Sequence, residues 1–115
     1  MISGIAAGLA PRARPGRISQ WLGLSGRVYR LESESVKDFV LKGADLYLIA
    51  RGSSVLWVGC ALDLVSEPQS RHQFRKAVAR ADGVFRLSRP EADEQRLAII
   101  ADLEGAVPAP LDQAA

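Results

Sequence analysis

The 115-residue chain contains one cysteine and one histidine, and these scarcities exclude several kinds of site. With Cys60 alone, no disulfide can form within the chain and no cysteine cluster can bind a metal. Such cysteine usage favours a reducing compartment, so we predict a cytoplasmic protein. His72 lacks both the serine and aspartate pattern of a catalytic triad and the spacing of a metal site. We therefore expect no cofactor and no metal.

Long apolar runs are also missing. No stretch approaches the roughly 18 apolar residues of a membrane span, so we predict no membrane partner. Residues 1–10 are mildly apolar but are not preceded by the basic residues of a secretory signal. Apolar residues make up 48% of the chain and charged residues 24%, which is typical of globular proteins. At this length folding buries roughly two-thirds of the surface, enough for one domain with one core.

Acidic residues are absent from the first 31 positions, although the formal net charge of the whole chain is only +2. That stretch carries five arginines, at positions 12, 14, 17, 27 and 30, whereas acids predominate after Arg89. A basic front with an acidic rear can indicate contact with nucleic acid, and a solvated tail is the alternative. We predict a basic, proline- and glycine-rich segment over residues 1–25, one α+β domain over 26–108 and a tail over 109–115.

Two short apolar runs, residues 46–50 and 55–58, predict a β-hairpin because a short linker containing Gly52 separates them. Most positions in both runs are apolar, so both faces of the hairpin should be covered, with helices on at least one side. Further upstream, residues 18–24 are compatible with a helical turn that docks Trp21. Residues 27–31 alternate in polarity and can add an edge strand at the N-terminal side of the domain.

Two Ser-x-Pro-Gln/Glu sequences, which begin at Ser66 and Ser88, predict the N-termini of two helices. We expect the helices over about 67–81 and 90–104, with a third strand at 84–87 between them. Leu97 should face inward on the second helix. The predicted fold class is therefore α+β: a small three-stranded sheet packed by two helices, in the order hairpin, helix, strand, helix.

This order and the residues of the hairpin resemble the GIY-YIG nuclease family. Asp45-Leu46-Tyr47 stands where the family has Gly-Ile-Tyr, and Trp57-Val58-Gly59 follows ten residues later where it has Tyr-Val-Gly. The small residue and Asp-Leu that lead into the family's first helix are matched by Ala61, Asp63 and Leu64. The resemblance covers residues 44–108 and implies a compact nuclease-like domain.

The resemblance also implies which catalytic roles this chain has lost. In the family, two tyrosines position a water, an arginine stabilises the phosphate and a glutamate binds a divalent metal, which is the chemistry that phosphodiester cleavage needs. Tyr47 keeps the first hydroxyl. Trp57 replaces the second tyrosine, Glu67 stands at the arginine position and Ile99 at the metal glutamate. We therefore predict a catalytically inactive domain.

Basic residues carry the predicted binding function instead. The first helix has cations on its outer side, and with the arginines of the N-terminal arm they could track a phosphate backbone. The predicted nucleic-acid-binding residues are Arg12, Arg14, Arg17, Arg71, Arg75, Lys76 and Arg80. An ordinary solvated helix face is the alternative interpretation of the helical cations.

Two other functions stay open at the level of the sequence. The chain could be a protein-interaction or structural subunit of a larger assembly, with its apolar start and proline-rich ends as docking arms. It could also be a residual metal-dependent endonuclease in which Tyr47, Arg71 and either Glu94 or Glu104 act as substitutes.

Overall fold

A computed structural model describes residues 15–110 of the chain. Within that range the chain forms six strands and three helices. The strands are β1 (Ile18–Leu22), β2 (Val28–Glu34), β3 (Leu46–Arg51), β4 (Ser54–Gly59), β5 (Gly83–Leu87) and β6 (Val107–Ala109). The helices are α1 (Ala61–Ser66), α2 (Pro68–Arg80) and α3 (Asp93–Glu104).

All six strands join one antiparallel sheet in the order β4-β3-β5-β2-β1-β6. The interior strand β3 is apolar at five successive positions, and every one of them is buried. A strand that is apolar on both faces must be covered on both faces. The sheet is therefore packed on two sides.

Alternate residues of β3 point into two separate apolar clusters. Tyr47 and Ile49 pack with α2 and with the loop of residues 35–45. Leu48 and Ala50 pack with α3 on the opposite face, where Trp21 of β1 also lies. The two helices thus stand on opposite faces of the sheet.

The predicted three-stranded sheet with two helices is wrong, because the sheet has six strands and three helices pack with it. Residues 18–22 were predicted as a helical turn but form β1. Their apolar side chains are compatible with a helical turn or a strand. The turn that follows favours a strand, because Gly26 adopts φ +92° there and allows β1 and β2 to form a hairpin. Residues 28–34 lie between β1 and β5 rather than at an edge. Pro108, predicted to end the domain, pairs with Trp21 in β6.

Elements after residue 45 follow the prediction more closely. The hairpin is confirmed, with Gly52 at φ +59° in its turn, and so are α2, β5 and α3 within a few residues. The prediction that Ser66 and Ser88 cap these two helices is wrong. Glu67 and Ala92 occupy the N-cap positions of α2 and α3, and neither donates or accepts a capping bond through its side chain. The hydroxyl of Ser66 instead donates to the carbonyl of Leu62 in α1.

A single carboxylate fastens the β1–β2 turn to α3. Asp102 accepts hydrogen bonds from the Ser25 amide at 2.6 Å, the Ser25 hydroxyl at 2.7 Å and the Tyr29 hydroxyl at 2.7 Å. These donors, the Ser25 hydroxyl foremost, lower the pKa of Asp102. Burial, followed by the bond to Asp102, raises the pKa of Tyr29. A Cβ on Gly23 would lie 2.5 Å from Asp102, so the turn has room only for glycine there.

The Asp102→Asn variant should be less stable than the parent at neutral pH, because an amide accepts through one oxygen only. Since folding depresses the pKa of Asp102, its contribution is complete above the usual value of about 4 and is lost as the pH falls through the depressed value. The gap between parent and variant should therefore shrink below about pH 4. Urea unfolding at pH 7, 5 and 3 measures this gap. Glu91→Gln is the control, and a gap of constant size at all three pH values would contradict the assignment.

Candidate functional site: a cleft along the free edge of β4

Tyr47, which stands at the first tyrosine position of the predicted resemblance, is fully buried. Its hydroxyl donates to the carbonyl of Val40 at 3.2 Å and accepts from the amide of Lys42 at 3.1 Å. Burial raises its pKa, although the bond from Lys42 acts in the opposite direction. Tyr47 therefore holds the loop of residues 35–45 against the sheet.

Trp57 is also a core residue. Its ring packs edge-on against Phe74 with 4.9 Å between centroids, and its indole N–H donates to the hydroxyl of Ser70 at 3.2 Å. A Cβ on Gly59 would lie 2.7 Å from this ring, which explains the glycine at the end of β4. Trp57 joins β4 to α2.

Arg71 is directed to the end of α1. One of its terminal nitrogens donates to the carbonyl of Leu64 at 2.8 Å and to that of Val65 at 3.3 Å. The last carbonyls of a helix lack partners within the helix, and a cation there is favourable. This contact accounts for Arg71 without a phosphate.

The remaining positions singled out by the resemblance lie apart. Glu67 is the N-cap residue of α2 and lines a cleft beside β4. Ile99 lines a different cavity, next to Tyr29 and Asp102. Of the carboxylates considered for a residual nuclease, Glu104 lines the cleft, whereas Glu94 is exposed and is absent from its lining. Tyr47 and Arg71 do not line it either.

The cleft, here called the β4 cleft, has a volume of about 410 Å³. Residues 55–58 of β4 form its floor. Its walls are Asp63 of α1, the first half of α2 with the preceding Glu67, and Leu97, Ile100 and Glu104 of α3. The prediction that Leu97 faces inward is wrong, because the residue is 59% exposed at this cleft.

The floor of the β4 cleft is a sheet edge. Because β4 is the first strand in the sheet order, it pairs with β3 on one side only. Across residues 15–110 no second strand pairs with β4, and no backbone group outside β3 bonds to it. An edge strand presents free N–H and C=O groups in alternation. The cleft therefore offers a backbone template.

The charged groups of the cleft divide into paired and free ones. Asp63 accepts from the amide of Cys60 at 2.8 Å and from the guanidinium of Arg96 at 3.1 Å, so it joins α1 to α3. Glu67 and Glu104 form no ion pair with any residue in the described range. Two free carboxylates thus stand beside apolar surface.

Cations occupy the outer face of α2. Arg75, Lys76 and Arg80 are exposed, and none of them pairs with an acid among residues 15–110. Arg51 lies at the end of this helix, where it donates to the carbonyl of Arg80 at 3.0 Å. The helix itself contains no acidic residue.

The N-terminal arm does not join this basic face within the described residues. Arg12 and Arg14 lie outside the described range, and Arg17 is exposed beside Ser33 of β2. Strands β2 and β5 separate β1 from β3, and acidic residues of β2 and of the position before β3 lie around Arg86 of β5. There, Arg86 pairs with Glu32 at 2.7 Å, Glu34 at 3.1 Å and Asp45 at 3.2 Å.

Two kinds of site find no support in the described chain. No group of three His, Cys, Asp or Glu side chains between residues 15 and 110 could hold a metal ion. Over the same range, the helices are too short or too polar to cross a bilayer.

Comparisons with protein-family models, with curated proteins and with solved structures each find no match for this chain. The resemblance to GIY-YIG nucleases stays a prediction. The function must be argued from the geometry of the chain's own surfaces.

Proposed function

We propose that this chain is a non-catalytic protein-binding domain that takes an extended segment of a partner along the free edge of β4. The single observation that carries the proposal is the unpaired strand edge on the floor of the β4 cleft. Addition of a strand to such an edge is a common mode of peptide recognition, since main-chain hydrogen bonds supply affinity for any extended segment.

The walls of the cleft favour one strand over continued sheet growth. Helices α2 and α3 stand on opposite faces and flank the edge of β4. Because both helices line the cleft along this edge, they restrict the space in which further strands could be added. Helices beside an open edge reduce the risk that sheets of different molecules pair and aggregate.

The side chains of the cleft define the chemistry of the partner. Glu67 and Glu104 are free carboxylates, and Leu56 and Leu97 supply apolar surface. An extended peptide alternates its side chains between two faces. A partner segment that alternates apolar residues with lysine or arginine could therefore contact the apolar surface with one face and the carboxylates with the other.

The contacts of Tyr47 and Arg71 support a role without catalysis. Both polar groups are committed to backbone atoms of their own chain. The proposal also places the domain in the cytoplasm, where its one cysteine, buried Cys60, would stay reduced.

A charge-swap experiment tests the proposal. Acetylated nine-residue peptides of alternating valine and lysine, or of valine and glutamate, are titrated into the full chain and followed by amide NMR. The lysine peptide should shift the amides of residues 55–58. In the Glu67→Lys/Glu104→Lys variant its affinity should fall about tenfold, since two exposed charge pairs are each worth up to about 1 kcal/mol.

The matched control is Glu91→Lys/Glu94→Lys, which changes the net charge equally outside the β4 cleft. It should bind the lysine peptide almost as the parent does, and the glutamate peptide should bind the cleft variant best. Equal losses in both variants, or shifts that avoid β4, would defeat the proposal.

A second candidate function is nucleic-acid binding, and a specific observation favours it. Arg75, Lys76 and Arg80 form an exposed basic face that no acid in the described chain neutralises. Unneutralised cations on a rigid helix can contact successive phosphates. This candidate would use the outer side of α2.

The Arg75→Gln/Lys76→Gln/Arg80→Gln variant should weaken binding of labelled single- or double-stranded DNA and RNA. If all three side chains contact phosphates, the slope of log K against log salt should become shallower by about 2 to 3. Fluorescence anisotropy over a salt series measures both quantities. The control variant Arg30→Gln/Lys42→Gln/Arg89→Gln removes the same charge elsewhere. Parallel losses in the two variants, or no binding by the parent at low salt, would reject this candidate.

A further inference from the structure

A second concave surface lies on the α2 side of the sheet and is almost entirely apolar. Here called the α1 groove, it has a volume of about 570 Å³. Val36 and Phe39 line it from the loop of residues 35–45, Leu64 and Val65 from α1, and Phe74 and Val78 from α2. Among the described residues of its lining, Lys37 is the one that carries a charge.

The apolar surface at this groove is open to solvent. The side chain of Val65 is 77% exposed, and that of Val40 on the adjoining loop is 65% exposed. Contiguous exposed apolar surface in a small protein usually marks a place where another segment binds. No part of residues 15–110 covers it.

The sequence outside the described range contains a segment of matching chemistry. Ile2, Ile5 and Leu9 are spaced by three and four residues, which places them on one face if the segment is helical. Residues 1–11 carry no charged side chain. An uncharged segment whose branched side chains would align in a helix suits a groove that has a single cation among its described lining residues.

The described chain begins close enough to the groove for this segment to reach it. The amide of Gly16 donates to the carbonyl of Ser33 at 2.7 Å, so the described chain starts beside β2. Ser33 precedes Val36 of the groove by three residues, a separation of at most about 10 Å. The residues between Leu9 and Gly16 can span about 23 Å when extended, which is ample.

We propose that residues 2–9 bind in the α1 groove of their own chain, with Ile2, Ile5 and Leu9 against the apolar residues of the loop, α1 and α2. The N-terminal segment then completes the core on this face. This surface is separate from the β4 cleft, so the proposal stands or falls independently of peptide binding there.

Disulfide trapping in the full chain tests this docking. The Leu9→Cys/Val65→Cys variant should form an internal disulfide under mild oxidation, seen as a monomer of altered mobility on a non-reducing gel. The control is Leu9→Cys/Leu97→Cys, whose second cysteine replaces another exposed residue (59% exposed, against 77% for Val65) but lies on α3, across the sheet. Docking should make the first disulfide form about tenfold faster than the second, because it raises the local concentration of the two thiols above that of an undocked tether.

Equal rates in the two variants would overturn the proposal, as would disulfide-linked dimers in place of monomers. A second measurement guards against altered folding of the cysteine variants. The Ile5→Ser/Leu9→Ser variant should shift the amide signals of Val36 and Val65 in the NMR spectrum, whereas Ala7→Ser should leave them in place. Unchanged signals in the double variant would also overturn it.

Discussion

Burial of β3 on both faces is the constraint on which the rest of this structure depends. Five successive apolar residues, from Leu46 to Ala50, cannot be covered by one helix, because alternate side chains point to opposite sides of the sheet. The chain therefore places α2 on one face and α3 on the other. A central strand also needs two neighbours, and β4 and β5 supply them.

The two edges of the sheet differ in what lies beside them. Beyond β5 the sheet continues through β2, β1 and β6, and the ties from Asp102 fasten their turn to α3. Beyond β4 nothing in the described chain continues the ladder. The flanking helices turn that edge into a cleft. The candidate binding site is thus a direct consequence of how the central strand is covered.

Strong local patterns made the second half of the fold predictable. The apolar runs on either side of Gly52 predicted the hairpin, and the Ser-x-Pro-Gln/Glu sequences at Ser66 and Ser88 predicted that a helix follows each of them. The first half depends on pairing between distant residues. Nothing local in residues 18–22 distinguishes a helical turn from a strand until Gly26 closes a hairpin and β6 returns to pair with Trp21.

The sequence predicted which types of residue line the surfaces of the domain, but not where each side chain points. Arg71 and Arg75 look alike in sequence, yet one caps α1 and the other faces solvent. Leu97 fits the apolar stripe of α3 but lies at the cleft, since β4 ends the sheet beneath it.

Amide hydrogen exchange by NMR tests most directly the central claim, that β3 is covered on both sides while β4 has a free edge. We predict that β3 amides exchange slowest, and that β4 amides split into slow ones facing β3 and fast ones facing the cleft. Uniform protection along β4 equal to that of β3 would contradict the free edge.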